Sequence, residues 1–185
     1  MEPVVRPYRW KDLSWPTQRL FKRLRDPVKG KQLILEKNYL VEKIIPRFTV
    51  RRITPAEMEH YRAPFPDAES RKPLWAWPAQ MPLDGTPANT HQSLSEIYEF
   101  LKTTELPKLL LWAKPGTIIR KKDAMQLKKE WLNLQTLEVG RGRHYLPEDQ
   151  PHSIGTALAR WIKQQNSVVE DSRYDLNPES SCMQK

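Results

Sequence analysis

Apolar residues recur at helical spacing through the first half of the chain and contract into short apolar runs in the second. Asp26-Pro27 suits a helix start, with Asp as N-cap and Pro at the first helical position. After it, Leu33, Leu40, Val41, Ile44 and Ile45 fall on one helical face, which predicts a single helix stopped by Pro46. Thr54-Pro55-Ala56-Glu57 reads as a capping box opening a short helix that carries Met58 and Tyr61. Ala63 to Asn89 is proline-rich and holds Trp75 and Trp77, so an irregular, aromatic-bearing connection is expected there. Thr90 to Thr104 predicts an amphipathic helix with Leu94, Ile97, Tyr98 and Leu101 on one side.

The period then changes. Lys108 to Ala113 is a short, mostly apolar run bounded by Pro107 and Pro115-Gly116, as in a buried parallel strand. Asp123 to Leu132 predicts a helix with Ala124, Leu127 and Trp131 inward, and Leu134 to Val139 alternates as a strand. Pro151 opens a last helix with Ile154, Leu158, Trp161 and Ile162 as its stripe. Val4-Val5 suits the end of a further strand, and the polar, aperiodic stretch from Ser167 onward predicts a disordered tail. Helices followed by a βαβα unit imply an α/β class with a parallel sheet. Two strands do not complete such a sheet, so its other strands are expected to lie outside these residues or to be absent.

A chain of 185 residues sustains one domain with a hydrophobic core. Its 7 Trp and only 6 Gly argue against low complexity, despite 17 Pro. The net charge of +9 is spread over several helical stretches and interleaved with acids, which points first to solvated helix faces. Nucleic acid or an anionic membrane surface is the alternative use of such a charge. Cys182 is the only cysteine, so no internal disulfide forms. Neither a signal segment nor an apolar run of about 18–20 residues is present, and a soluble, cytoplasmic chain with no membrane partner is expected.

Gly140 to Pro151 concentrates the candidate chemistry. His144 stands on a short loop just past a strand, preceded by a glycine-rich turn and followed by Glu148-Asp149. That is a place for a general base, with a solvated loop histidine as the plain alternative. His60, His91 and His152 lack metal-ligand spacing, so no metal site is assigned.

Several segments, taken together, resemble the haloalkane dehalogenases of the α/β-hydrolase superfamily. Met1-Glu-Pro-Val-Val-Arg-Pro7 is similar to the family segment after the sixth strand, close to Met-Glu-Phe-Ile-Arg-Pro. Trp10-Lys-Asp-Leu-Ser-Trp-Pro16, Glu36-Lys-Asn-Tyr-Leu-Val-Glu42, Glu57-Met-Glu-His-Tyr-Arg-Ala-Pro-Phe65 and Arg71-Lys-Pro-Leu-Trp75 resemble the family's helical cap and its exit. Pro107-Lys-Leu-Leu-Leu-Trp-Ala-Lys-Pro-Gly116 looks like the seventh strand and its loop, and His144-Tyr-Leu-Pro-Glu-Asp149 resembles His-Tyr-Leu-Gln-Glu-Asp. The resemblance runs in order over residues 1–163.

It implies the C-terminal part of an α/β-hydrolase fold, parallel strands with flanking helices, plus a helical cap. Residues 1–8 would end a core strand and carry an acid loop, 9–88 would form the cap and its exit, 89–166 the C-terminal βαβα part, and 167–185 the tail. The implied chemistry is cleavage of a carbon–halogen bond through an alkyl-enzyme ester on an Asp, followed by hydrolysis. His144 matches the base and Glu2 the carboxylate that orients it, since Lys114-Pro-Gly-Thr-Ile-Ile119 has no acid. Leu40, Ile44, Thr117 and Ile118 match positions bordering the substrate cavity. A guanidinium of Arg143 turned toward His144 would disfavour the imidazolium. No cofactor is implied, and the partners are a small halogenated alkane and water. The family's nucleophile elbow, of the type His-Asp-Trp-Gly, lies upstream of the Glu2 position, and no such motif occurs in this chain; an inactive, truncated form is expected. A coelenterazine-type luciferase shares the same cap resemblance, and a non-catalytic, basic nucleic-acid-binding protein is the rival of a different class.

Overall fold

The computed structural model describes the backbone of residues 1–175 and the side chains of residues 1–166. Its centre is a parallel pair of strands, β1 (Lys108–Pro115) and β2 (Leu134–Gly142), in the register Lys108↔Leu134 to Trp112↔Glu138. Between Trp112 and Lys114 the register slips by one residue and resumes as Lys114↔Arg141 and Pro115↔Gly142. The extra residue falls on β2 near Gly140, whose φ of 110° a side chain would oppose.

Both faces of the pair are covered, which is why β1 reads as a nearly continuous apolar run. On one face Leu110, Trp112 and Leu134 pack with Ile119, Ala124, Leu127 and Trp131. These come from the loop after β1 and from the helix Lys121–Glu130 that crosses over to β2. Tyr98 and Leu101 of the helix Ala88–Thr103 close this core from outside, while Ile97, predicted to face inward with them, is exposed. On the other face Ala113 and Val139 pack with Leu146 and Ile154. Ile154 belongs to the last helix, Pro151–Asp175, whose Leu158 and Ile162 are exposed. That helix continues beyond Ser167, where the pattern predicts a disordered tail, and residues 176–185 lie outside the described residues.

The helical layer departs from the pattern in three places. Where the apolar spacing predicts one helix after Asp26, the backbone forms Lys29–Lys31, the wider π-type turns Gln32–Glu36 and Leu40–Ile44, and Ile45–Arg47. Asn38 interrupts them with a φ of 47°, a left-handed conformation that Asn tolerates better than most residues. The helix start itself holds, because Asp26 Oδ1 accepts from the amides of Val28 and Lys29 at 3.0 and 2.7 Å. Pro46 does not stop the helix; it sits within the first turn of Ile45–Arg47, where a missing N–H is harmless.

Trp75 and Trp77 ride on a helix, Lys72–Gln80, rather than an irregular connection. Pro73 opens it, and the buried Pro78 lies in its last turn. Val4 and Val5 pack against the two neighbouring cores without joining a ladder, so no strand forms there. The capping box at Thr54 is present as expected: Thr54 Oγ1 accepts from Glu57 N, and Glu57 Oε2 accepts from Thr54 N, opening the helix Pro55–Arg62. No helix of the described residues is long and apolar enough to cross a membrane.

Candidate active site

The loop leaving β1 turns back on itself at Gly116, with φ of 66°. A Cβ there would lie 2.6 Å from the Ile119 carbonyl oxygen and 3.1 Å from that of Ala113, so the turn requires glycine. The turn points three successive amides inward. Thr117 N donates to Glu2 Oε1 at 2.7 Å, Ile118 N to Oε2 at 2.8 Å, and Ile119 N to Oε1 at 3.4 Å. A run of convergent N–H groups of this kind is an anion cradle built from main chain alone.

The cradle places the Glu2 carboxylate against His144, whose Nδ1 is 3.3 Å from Oε2. Glu2 is also tied to the same histidine by backbone, its N–H donating to the His144 carbonyl at 2.9 Å. Glu2 and His144 are 4% and 8% exposed, so the pair is buried together. Burial raises the Glu2 pKa. The hydrogen bonds from His144, Thr117 and Ile118 outweigh that effect and hold the carboxyl below its ordinary value. Glu2 is therefore ionised at neutral pH and accepts Nδ1–H, which leaves the lone pair of Nε2 available to take a proton. A buried imidazole held this way by an ionised carboxylate is the arrangement from which a general base can act.

Glu148 and Asp149 fix the loop that carries His144. Asp149 Oδ2 accepts from Arg143 N at 3.0 Å, while Oδ1 accepts from Val50 N and Arg51 N at 2.7 and 3.0 Å. Glu148 pairs with Arg51 and Tyr61. The tyrosine is pushed up to about 12 by burial and by that carboxylate. Tyr145 N adds a bond to the Phe48 carbonyl. The helical layer is thus clipped to the His144 loop at residues 48–51. Arg143 sends its guanidinium to the Arg47 carbonyl at 2.8 Å rather than to the His144 ring.

The four predicted pocket positions separate. Thr117 lines two neighbouring clefts of about 460 and 480 Å3, sharing the first with Ile118 and the second with Ile44. Leu40 lines neither and packs instead with Leu24, Leu33 and Ile34. The amide cradle and the Asp149 clip are absent from the predicted site. Backbone donors leave no side-chain signature, and the one available signal was the adjacent acidic pair after His144.

No protein-family model matches the chain. It is 38% identical over 161 residues to a haloalkane dehalogenase of Mesorhizobium japonicum, covering 85% of this chain and 52% of that protein. A haloalkane dehalogenase of Mycolicibacterium smegmatis is 35% identical over 165 residues, covering 89% and 52%. Among solved structures, the haloalkane dehalogenase DbeA from Bradyrhizobium elkani superposes with a TM-score of 0.86 at 33% identity, covering 89% of this chain and 57% of that one. The chain therefore spans about half the length of the curated relatives it matches. These relatives favour neither the luciferase nor the nucleic-acid expectation.

Proposed function

The chain belongs to the haloalkane dehalogenase family, matching its members over about half of their length, and from that relationship we propose that His144 and Glu2 are the general base and orienting acid of a hydrolytic dehalogenation. Its architecture is part of an α/β-hydrolase fold with added helices. We assign residues 9–88 to a helical cap and 89–166 to the C-terminal part of the core. The observation that carries the proposal is the buried Glu2–His144 hydrogen bond beneath three converging amides.

In the proposed reaction an Asp carboxylate attacks the halogen-bearing carbon of a haloalkane. A carbon–oxygen bond forms as the carbon–halogen bond breaks, and halide leaves with the bonding pair. Water then adds to the ester carbonyl while Nε2 of His144 takes its proton. Collapse of the adduct expels the alkoxide, which takes the proton held on Nε2 to give the alcohol. The carboxylic acid left behind loses its proton to solvent and becomes the carboxylate again, so alcohol, halide and one proton are released in all. Glu2 holds Nδ1–H throughout and stabilises the imidazolium as it forms. Ile44, Thr117 and Ile118 face the substrate, with Leu40 supporting the helix behind them. Water and side chains suffice for these steps.

The scheme takes its nucleophile from outside these 185 residues. Glu2 is the only carboxylate hydrogen-bonded to the His144 ring among the described residues. Halide release from a dibromoalkane tests the scheme, with the chain alone and with the chain joined behind the N-terminal part of the Mesorhizobium japonicum relative. The chain alone should be inactive. The joined protein should turn over, and His144→Ala should abolish its activity. Turnover by the chain alone that is lost in His144→Ala would put the nucleophile within it. Undiminished turnover in the joined His144→Ala variant would refute the base assignment.

A further inference from the structure

Five arginines and no carboxylate line the 480 Å3 cleft beside the Glu2 loop. Arg19 and Arg23 lie four residues apart on the helix Trp15–Leu24, a spacing at which like charges repel. Arg47 and Arg143 are drawn together by the bond from the Arg143 guanidinium to the Arg47 carbonyl, a partner that neutralises neither. Arg120, the residue before the crossover helix, also lines the cleft.

Some of the basic side chains elsewhere find acids. Arg9, Arg51, Arg62, Lys72, Lys102 and Lys114 all form ion pairs with carboxylates. Among the described residues none of the five cleft arginines does. Two of them are instead placed over aromatic rings of the cleft wall, Arg19 over Trp15 at 5.5 Å and Arg23 over Tyr39 at 5.9 Å. Stacking steadies a guanidinium without neutralising it. The expected solvated helix faces account for scattered charge; they do not account for five unneutralised cations converging on one concavity.

We propose that this cleft binds a small organic oxyanion, a molecule bearing a carboxylate or phosphate. Guanidinium groups pair with both through paired N–H···O bonds, and walls of one charge sign focus the field on the space between them. The volume falls in the range of small-molecule sites, and the aromatic walls offer apolar contact for a carbon skeleton. Pro115, Gly116 and Thr117 form its floor, so the bound anion sits beside the loop that cradles Glu2. This assignment does not rest on the dehalogenase proposal, but its cleft shares Ile44 and Thr117 with the surface proposed there to face the haloalkane, so the bound anion would lie against that substrate's space.

Calorimetric titration of the chain at low salt with malonate and with inorganic pyrophosphate tests it. Saturable binding at one site per chain is expected for at least one probe, with the tighter of the two identifying the preferred group. The fluorescence of Trp15 should respond, and the response should vanish in Trp15→Phe. Replacing Arg23 and Arg143 together by Ala should weaken binding by about tenfold or more in a protein of unchanged circular dichroism. Replacing Lys128 and Lys129, exposed on the crossover helix and outside the cleft, should leave it unchanged. Absence of saturation with both probes, or equal loss in the two double variants, overturns the proposal. So does duplex DNA that displaces both probes with a steep salt dependence, because the arginines would then serve a polyanion.

Discussion

The Glu2 carboxylate and the His144 ring meet at 3.3 Å although 142 positions separate them in the chain. Three amides of the loop after β1 and one backbone bond hold the carboxylate there.

The pair makes stability depend on acid. Because the folded-state pKa of Glu2 is lowered from 4.5, its contribution is complete above that value and is lost as pH falls through the folded pKa. Urea denaturation should show Glu2→Gln less stable than the parent by about 1–3 kcal/mol at pH 7. The gap should narrow on acidification below pH 4.5. A gap that stays constant into acid would contradict the ionised pair.

Gly116→Ala should destabilise by about 1–3 kcal/mol, because alanine is strained at this φ and its methyl meets backbone oxygens. Nitrogen NMR of the His144 ring checks the local consequence. A displaced cradle should weaken the Nδ1–H bond and alter its shift, whereas Gly85→Ala, with open space around its Cβ, should leave that ring signal unmoved.

Asp149→Ala should cost about 2–4 kcal/mol, since one carboxylate accepts from three amides. Hydrogen exchange gives the sharper readout. The amides of Val50, Arg51 and Arg143 should lose protection together, and unchanged protection at Arg143 would break the link between the helical layer and the His144 loop.

Ile34→Ala should cost about 2–5 kcal/mol, because Ile34 is fully buried in the cluster with Leu24 and Leu33. Leu106→Ala, at a residue 60% exposed, should shift the denaturation midpoint little.

The strand–helix–strand unit was legible because β1 is a short apolar run bounded by turn residues, β2 begins with strand-period alternation, and their connection is long enough for a crossover helix. The break at Asn38 was not, because the apolar spacing continues across it and tertiary packing decides there. The helix around Trp75 was hidden by Pro73 and Pro78, which read as breakers. Pro73 occupies the first turn, where a missing N–H is harmless, and Pro78 sits inside the helix near its end, where burial of its ring accompanies the lost backbone bond. At the site, His144 stood out by its loop, and Glu2 through the resemblance. The cradle was invisible, because any three residues after Gly116 supply the same N–H groups.

That last property bears on how the loop can change over evolutionary time. Residues 117–119 hold the acid through main chain, so their side chains are released from that duty. Ile119 is committed to the core, but Thr117 and Ile118 face the clefts. Substitution at those two positions can reshape the cleft walls while the carboxylate stays where it is, which makes the turn a site of ready diversification.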